Sequence, residues 1–258
     1  MSDQLSFRMD TDLLPDLPDL RPMEPRPLPE PFDSDEHLFE PWWGGVRAFA
    51  YIGPSMRAGD GAVRIVDRAG RDVSAALPEL AGMAVRVAAR SAILDGELVV
   101  VDGTGRADPA ELARRLAGEP GRPAAFLAFD LLHQDGRSLL SQPLVKRRET
   151  LRRILRPGDE VVAVPAIATE GKALFAAVAA QGIAGILARQ RQSPYLPGVR
   201  SRLWRFIPTT PPAGGPVEGG LEVDGGLEVD SAEPLPPPTV ATAPVLALIS
   251  RLPLDDES

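Results

Sequence analysis

Residues 39–47 are the part of this sequence best suited to chemistry. They read Phe-Glu-Pro-Trp-Trp-Gly-Gly-Val-Arg. Glu40 and Arg47 could bind charged groups of a ligand, and Trp42 and Trp43 offer flat rings on which a base could stack. Neither indole carries an amine, thiol or hydroxyl that could act as a nucleophile. The stretch therefore has binding groups, but its two tryptophans offer no group for covalent chemistry.

Other reactive side chains are scarce. The chain has no cysteine, which excludes thiol nucleophiles, zinc–thiolate sites and disulfides. Its two lysines, Lys146 and Lys172, lie near the starts of predicted helices, where we expect exposed side chains. We expect His37 at the surface. His133 follows a predicted strand and could lie in a turn or reach the rim of the pocket, and we favour the turn. No grouping of serine, histidine and acid indicates a different chemistry.

The charge divides the chain into three segments. Residues 1–19 hold five aspartates and one arginine, and residues 209–258 hold nine acidic residues and one arginine. The net charge of -8 therefore comes from the two ends, and residues 20–208 are mildly basic.

These segments predict one folded domain. We expect residues 20–208 to fold, since 44% of the chain is apolar. The acidic, proline-rich segment 1–19 is predicted to be disordered. The tail 209–258 is Pro/Gly-rich low-complexity sequence that contains the hexamer GGLEVD twice in tandem at 219–230. No apolar run approaches the ~20 residues of a membrane span and no signal peptide is evident, so we expect a cytoplasmic protein without membrane contact.

Strands and helices alternate in residues 20–208 without regular βαβ spacing, which favours an α+β fold. Dense apolar runs predict buried strands at 91–102 and 124–132. The other predicted strands are 46–52, 62–67, 161–166, 186–189 and 203–207. Helices are predicted at 78–89, 108–117, 143–155 and 170–181, the second capped by Asp108 and opened by Pro109. The prolines before residue 32 exclude a helix or an inner strand there.

Five segments resemble, in order, the motifs of the adenylation domain of ATP-dependent DNA ligases. They are residues 39–47, Arg68 before the Gly70 turn, 95–98 (Asp-Gly-Glu-Leu), 128–132 (Ala-Phe-Asp-Leu-Leu) followed by Arg147 and Arg148, and 182–189 leading through Tyr195 to Trp204. Each motif alone is weak, but five in order indicate the fold. The resemblance implies an ATP-grasp-like nucleotidyltransferase fold with antiparallel sheets flanked by helices.

The resemblance also implies a nucleotide site. In the family the counterpart of Arg68 helps to hold the nucleotide, that of Glu97 contacts the ribose and supports the metal, and that of Phe129 stacks on the adenine. If binding is retained, the ligands are ATP and Mg²⁺. The vestigial nucleotide-binding residues are then Glu40, Arg47, Arg68, Glu97, Phe129 and Arg189, with Glu97 as the candidate metal ligand.

The resemblance places losses at the reacting positions. The family pattern is Glu, any residue, Lys, aromatic, Asp, Gly, any residue, Arg, and its lysine amine attacks the α-phosphate of ATP. Here Trp42 replaces the lysine and Gly44 the aspartate. Ala184 replaces the glutamate of the fourth motif and Arg189 its lysine, and at the fifth motif only Arg205 is basic. We therefore expect a catalytically inactive pseudo-ligase that binds a nucleotide or a partner. The alternative is an active ligase with a non-standard nucleophile.

Two side chains of the predicted site have open interpretations. Trp42 could fill the space of the missing lysine, ATP and metal, or it could be a platform for a base. Glu97 lies within a buried strand and needs a partner there, for which Arg68 and Arg189 are the candidates.

Residues 171–217 contain basic residues and no acid. Arg191, Arg200, Arg202 and Arg205 form a candidate phosphate or DNA patch. The same residues could instead form a solvated face, or the acidic tail could cover them in cis. The tail could also bind a partner such as a DNA-repair protein. Only about 50 residues follow residue 208, too few for the OB-fold domain that the resemblance implies, so we expect that domain to be absent.

Overall fold

The structure is a computed structural model that describes residues 17–53, 62–103 and 105–209. These residues form a five-stranded sheet, in the order β1-β11-β10-β2-β9, and a six-stranded sheet, in the order β4-β3-β5-β6-β7 with β8 beside β6. Most of the segment predicted at 1–19, and the tail beyond residue 209, lie outside the described residues. The domain boundaries at 20 and 208 stay a prediction.

The strands are β1 (Glu24–Pro27), β2 (Ser34–Trp42), β3 (Val46–Ile52), β4 (Val63–Asp67), β5 (Ala92–Val100), β6 (Ala124–Gln134), β7 (Arg137–Ser138), β8 (Val161–Ala163), β9 (Ile167–Thr169), β10 (Gly185–Gln190) and β11 (Arg200–Pro208). The α-helices are α1 (Met83–Arg86), α2 (Pro109–Leu116), α3 (Leu144–Ile154) and α4 (Gly171–Ala180). Two 3₁₀ turns, Ser74–Ala76 and Pro78–Gly82, precede α1.

The pairing confirms the α+β prediction. Neighbouring strands are antiparallel except for two pairs, β1 with β11 and β6 with β8. β5 is buried along its whole length and β6 along all but its last residue, as their apolar runs predict. Within the described residues, no helix combines the length and the apolarity that a membrane span requires.

A large apolar core covers one face of the six-stranded sheet. Several helical segments contribute side chains to it, and each fully buried leucine stabilises the fold by roughly 1.5–3 kcal/mol. The core includes Leu98 and Phe126 from the sheet and Leu80, Met83, Leu112, Leu151 and Ile154 from the helical segments. A second cluster joins α4 to the five-stranded sheet through Leu174, Val178, Phe39, Ile186 and Ala188.

Strand β2 was not expected, because the sequence around Trp42 reads as a loop with a proline and two glycines. The strand forms because β10 pairs with it along residues 37–42 and β9 along its first half. Pro41 lies beyond the last residue that pairs with β9, so its missing N–H leaves no ladder bond unmade. The pairing, a tertiary effect, overrides the weak local preference.

Two further expectations were wrong. The helix predicted at 78–89 is a 3₁₀ turn followed by the one-turn α1, which ends at Arg86 because Val87 bridges to Leu155. His133 lies within β6 and is 7% exposed, so it is not a turn residue. The cap of α2 is confirmed, since the Asp108 carboxylate accepts the Glu111 N–H at 3.0 Å.

Candidate nucleotide cleft

The chain crosses from the five-stranded to the six-stranded sheet through residues 43–45. Gly45 passes so close to β5 that a Cβ atom there would collide with the carbonyl oxygen of Leu98. Gly44 has φ +80°, a conformation that glycine adopts without strain, and a Cβ there would lie 3.2 Å from that of Ala184. The positions of two family carboxylates, 44 and 184, are therefore neighbours, and neither carries a carboxylate here.

Glu97 of β5 supports this crossing. Its carboxylate accepts the N–H of Gly45 and the N–H of Trp43, the latter at 3.4 Å. Burial raises the pKa of Glu97 to about 7, although these N–H groups favour the charged form. The expected pairing with Arg68 or Arg189 is wrong: Glu97 is satisfied by backbone.

Arg68 lies away from this group. Its guanidinium is 38% exposed and lies 3.7 Å from the Glu24 carboxylate. The structure therefore does not bring Arg68 together with Phe129 or Arg189.

Glu40 is buried between two arginines. One carboxylate oxygen accepts from Arg148 and the other from Arg189, and each of the three side chains is at most 3% exposed. Arg148 also donates to the Phe129 carbonyl at 2.7 Å. Burial lowers the pKa of Arg189 to about 9 and that of Arg148 to about 10, so both stay protonated at neutral pH.

The Phe129 ring is covered by guanidinium groups. The Cζ atom of Arg189 lies 4.3 Å from its centroid and that of Arg47 lies 4.8 Å away. The Trp204 ring also contacts both, at 4.8 and 5.6 Å. These are cation–π distances. The resemblance implies that adenine stacks on the Phe129 ring, but here arginine side chains of the protein itself contact that ring.

Arg47 is fixed by its own carboxylate. Its Nε and Nη2 donate to the two oxygens of Asp95 at 2.7 and 2.6 Å. Burial opposes the charge of Arg47, but the Asp95 carboxylate more than compensates and raises its pKa. The Tyr195 hydroxyl donates to Asp95 at 2.8 Å and accepts the Met23 N–H at 3.0 Å. The segment that precedes β1 is therefore hydrogen-bonded to the site.

The two tryptophans have different surroundings. Trp42 is half-buried and packs edge-on against Phe206, with 6.0 Å between ring centroids. Trp43 is only 3% exposed, and its Nε1 has no acceptor among the described residues. Arg189 and Arg47, rather than Trp42, contact the Phe129 ring. Whether Trp42 fills the space of a lost nucleophile stays a prediction.

The side chains of the cleft do not fit a Mg²⁺–ATP complex. Hard cations need several oxygen ligands, and the Glu97 oxygens already accept N–H groups of the crossing. Positions 44 and 184 supply no carboxylate. In the described part of the chain, no group of three or more His, Asp or Glu side chains could hold a metal ion.

No lysine lies in the cleft. Lys146 is 64% exposed and pairs with Glu149 at 3.0 Å, and Lys172 is 65% exposed and lies 3.9 Å from Asp33. The prediction that both are surface residues is confirmed. These are the only lysines of the sequence.

The predicted basic patch divides into parts. Arg200 and Arg202 are exposed, Arg191 and Arg205 are half-buried, and Arg191 approaches the Asp35 carbonyl at 3.5 Å. Arg202 and Arg205 line one pocket, and the other two arginines do not. Arg189, from the same acid-free segment, belongs to the cleft.

Sequence reasoning missed the roles of Asp95, Arg148 and Trp204. Asp95 had a readable signal, since a carboxylate inside a run that is apolar on both faces needs a buried partner. The sequence gives no signal that Arg148 is buried, because a basic residue in a helix rich in arginine is normally exposed.

Comparison with known proteins decides the family. The family described as ATP dependent DNA ligase domain matches residues 29–205. This chain belongs to that family. The adenylation-domain fold predicted from the motifs is thereby confirmed.

The relatives are named as a DNA-repair protein and as DNA ligases. The chain is 36% identical over 171 residues to the multifunctional non-homologous end joining DNA repair protein LigD of Mycobacterium tuberculosis. The aligned region covers 66% of this chain and 21% of LigD. It is 31% identical over 209 residues to DNA ligase C1 of Mycolicibacterium smegmatis, and the aligned region covers 72% of this chain and 56% of that ligase. The chain thus spans only part of the relatives that it matches.

Solved structures agree with the ligase-domain fold. Mycobacterial DNA ligase D complexed with ATP and MES superposes with a TM-score of 0.62 at 30% identity, covering 73% of this chain and 60% of that one. The Chlorella virus DNA ligase-adenylate, at 14% identity and a TM-score of 0.50, covers 72% of this chain and 67% of that one and shows the fold alone.

Proposed function

We propose that this DNA-ligase-type adenylation domain is a catalytically inactive pseudo-ligase that acts by binding a partner in DNA repair. The observation that carries the proposal is the side chain at position 42. An indole cannot form the phosphoramidate that a lysine amine forms with AMP. The losses at Gly44 and Ala184 remove carboxylates from the same place, so the substitution is not isolated.

The buried ion group around Glu40 supports the proposal. Arg189 lies at the family's lysine position, yet its guanidinium pairs with Glu40 and covers Phe129. Phosphoryl transfer depends on charges preorganised around the phosphate. A cation that is already neutralised by a buried carboxylate is poorly placed for that role.

The surroundings of the two lysines support it further. An unorthodox nucleophile would have to reach the cleft, and an attacking amine must be neutral, which burial favours. Lys146 and Lys172 are instead exposed and lie beside carboxylates.

The relatives point to the context of the partner. LigD is named as a non-homologous end joining DNA repair protein, and the others as DNA ligases. We propose that the partner is DNA or a DNA-repair protein in the cytoplasm, reached through Arg191, Arg200, Arg202 and Arg205. Salt-dependent binding of duplex DNA, weakened by charge reversal at Arg200 and Arg202, would test the DNA branch.

Incubation with α-labelled ATP and Mg²⁺ tests the inactive assignment. We expect no acid-labile adduct on the protein. We expect none on Trp42→Lys either, because the lysine alone restores neither carboxylate. Trp43→Lys, one residue away, is the matched control for nonspecific labelling of a new amine.

A stoichiometric adduct on the unchanged chain would refute inactivity and favour the alternative, a ligase with a non-standard nucleophile. Mapping the label by peptide mass spectrometry would then name that nucleophile. An adduct on Trp42→Lys alone would mean that the cleft still binds ATP and has lost only its nucleophile.

A second candidate function is nucleotide binding without transfer. The observation in its favour is that Arg189 Nε and Nη1 have no acceptor among the described residues, although Arg189 is fully buried. An anionic group could accept from them. Binding predicts that ATP at 100 times its Kd raises the unfolding free energy by about 2.7 kcal/mol. No change in Tm at millimolar ATP would remove this candidate.

A further inference from the structure

A pocket of about 320 Å³ lies away from the cleft, beside the five-stranded sheet. Its lining residues come from the segment between β1 and β2 and from β2, β10 and β11. The pocket is lined by both apolar and basic residues. Its lining residues are Leu28, Phe32, His37, Gln190, Arg202 and Arg205.

The two arginines of this pocket have no carboxylate partner among residues 17–53, 62–103 and 105–209. Among the described residues, neither Arg202 nor Arg205 makes a side-chain hydrogen bond or an ion pair. This differs from the cleft, where Arg47, Arg148 and Arg189 are each paired. Within the described part of the chain, the pocket lined by Leu28 and Phe32 therefore also presents two positive charges without an ion-pair partner.

The chemistry of an occupant follows from this lining. It should present carboxylates to the arginines and aliphatic side chains to Leu28 and Phe32. The tandem hexamer at 219–230 has this composition, since each copy is Gly-Gly-Leu-Glu-Val-Asp. The alternation of Leu and Val with Glu and Asp would direct the two kinds of side chain to opposite sides of an extended segment.

The tail starts close to this pocket. Thr209, the last described residue before it, follows β11 directly, and Arg205 lies four residues earlier in that strand, about 13 Å away at 3.3 Å per residue. Glu222 follows Thr209 by 13 residues, which can span up to about 45 Å. A segment tethered this closely has an effective concentration at the pocket of about the millimolar range. Weak contacts are therefore sufficient for it to bind there.

We infer that residues 219–230 of this chain dock in cis into the pocket of Arg202 and Arg205. The docked segment neutralises the two arginines and thereby competes with any anionic partner at this face. The inference does not depend on whether the cleft binds a nucleotide.

A spin label on the tail of the full chain tests this docking. The sequence has no cysteine, so Ser231→Cys creates a unique attachment site next to the second hexamer. We expect the label to broaden the amide resonances of Phe32, His37 and Gln190 in ¹⁵N-labelled protein. Reduction of the label restores their intensity and serves as the reference.

Charge reversal makes the test specific. Arg202→Glu with Arg205→Glu should abolish the broadening. Arg152→Glu with Arg153→Glu, on the exposed face of α3, changes the net charge equally and should leave it intact. Adding Glu222→Lys, Asp224→Lys, Glu228→Lys and Asp230→Lys to the first variant should restore the broadening, which also shows that the variant folds.

Three results would overturn the inference. One is the absence of broadening at the pocket in the otherwise unchanged chain. Another is equal loss in both charge-reversal variants, which would mean a general attraction to basic surface. The third is equal broadening when spin-labelled ¹⁴N protein is mixed with unlabelled ¹⁵N protein, since the tail would then bind a second copy.

Discussion

Two groups of arginines in this chain have opposite environments. Arg47, Arg147, Arg148 and Arg189 are at most 5% exposed, and each forms an ion pair with a buried carboxylate. The arginines of the basic patch are half-buried or exposed and form no ion pair among the described residues. A buried charge is tolerated only when it is paired, so the first group is committed to the fold. The second group has no carboxylate partner among the described residues.

The charged side chains of the cleft pair with one another. Glu40 neutralises Arg148 and Arg189, and Asp95 neutralises Arg47. These paired side chains are buried, whereas the arginines of the basic patch are half-buried or exposed.

Removing the charge of Glu40 should give the largest effect. Glu40→Gln leaves two buried guanidinium groups without a carboxylate, which should lower the unfolding free energy by about 3–5 kcal/mol. Asp33→Asn, which removes an exposed ion pair with Lys172, should lower the unfolding free energy by less than about 1 kcal/mol. Urea denaturation of both variants measures the difference. Equal effects would contradict the division into two groups of charges.

Glu97 should make stability depend on pH. Its pKa is about 7 in the folded state against an ordinary 4.5, so folding favours the protonated form. Its contribution is fully present below pH 4.5 and is lost as the pH rises through 7, by about 3 kcal/mol. The unfolding free energy of wild type minus that of Glu97→Gln should therefore fall over this range. If this difference in unfolding free energy does not change with pH, the pKa of Glu97 is not raised in the folded state.

The Phe129 ring should matter more than the Phe206 ring. Phe129→Leu removes contacts with two desolvated guanidinium groups, and we expect a loss of about 2 kcal/mol in unfolding free energy. Phe206→Leu, at a half-buried ring that packs against Trp42, is the matched control and should cost less. Thermal unfolding monitored by calorimetry separates the two. A larger effect at Phe206 would mean that the Trp42 contact, not the cleft, organises this region.

The surface arginines should give the smallest effect. Arg202→Ala and Arg205→Ala should each change the unfolding free energy by no more than about 0.5 kcal/mol, because neither side chain has an ion-pair partner among the described residues. The same urea experiment measures this. A loss above 1 kcal/mol at either position would place that arginine in the structural group.

Much of the fold was predictable from local sequence. The buried runs of β5 and β6 and the cap of α2 are short-range signals, and the structure contains each of them. Strand β2 was not predictable, because it exists through pairing with β10 and β9. The one-turn α1 was overpredicted, because alanine-rich sequence favours a helix that the Val87 bridge ends.

The candidate site divides in the same way. The sequence by itself determined what position 42 cannot do, since reactivity belongs to the side chain and an indole has no amine in any fold. It also determined that carboxylates are absent at positions 44 and 184. Only the tertiary structure decided which arginine meets which carboxylate. Glu40 and Arg189 are 149 residues apart in the chain, and Arg47 and Asp95 are 48 apart. Such pairs follow from which strands become neighbours in a sheet, β2 with β10 and β3 with β5, which is a property of tertiary pairing rather than of local sequence.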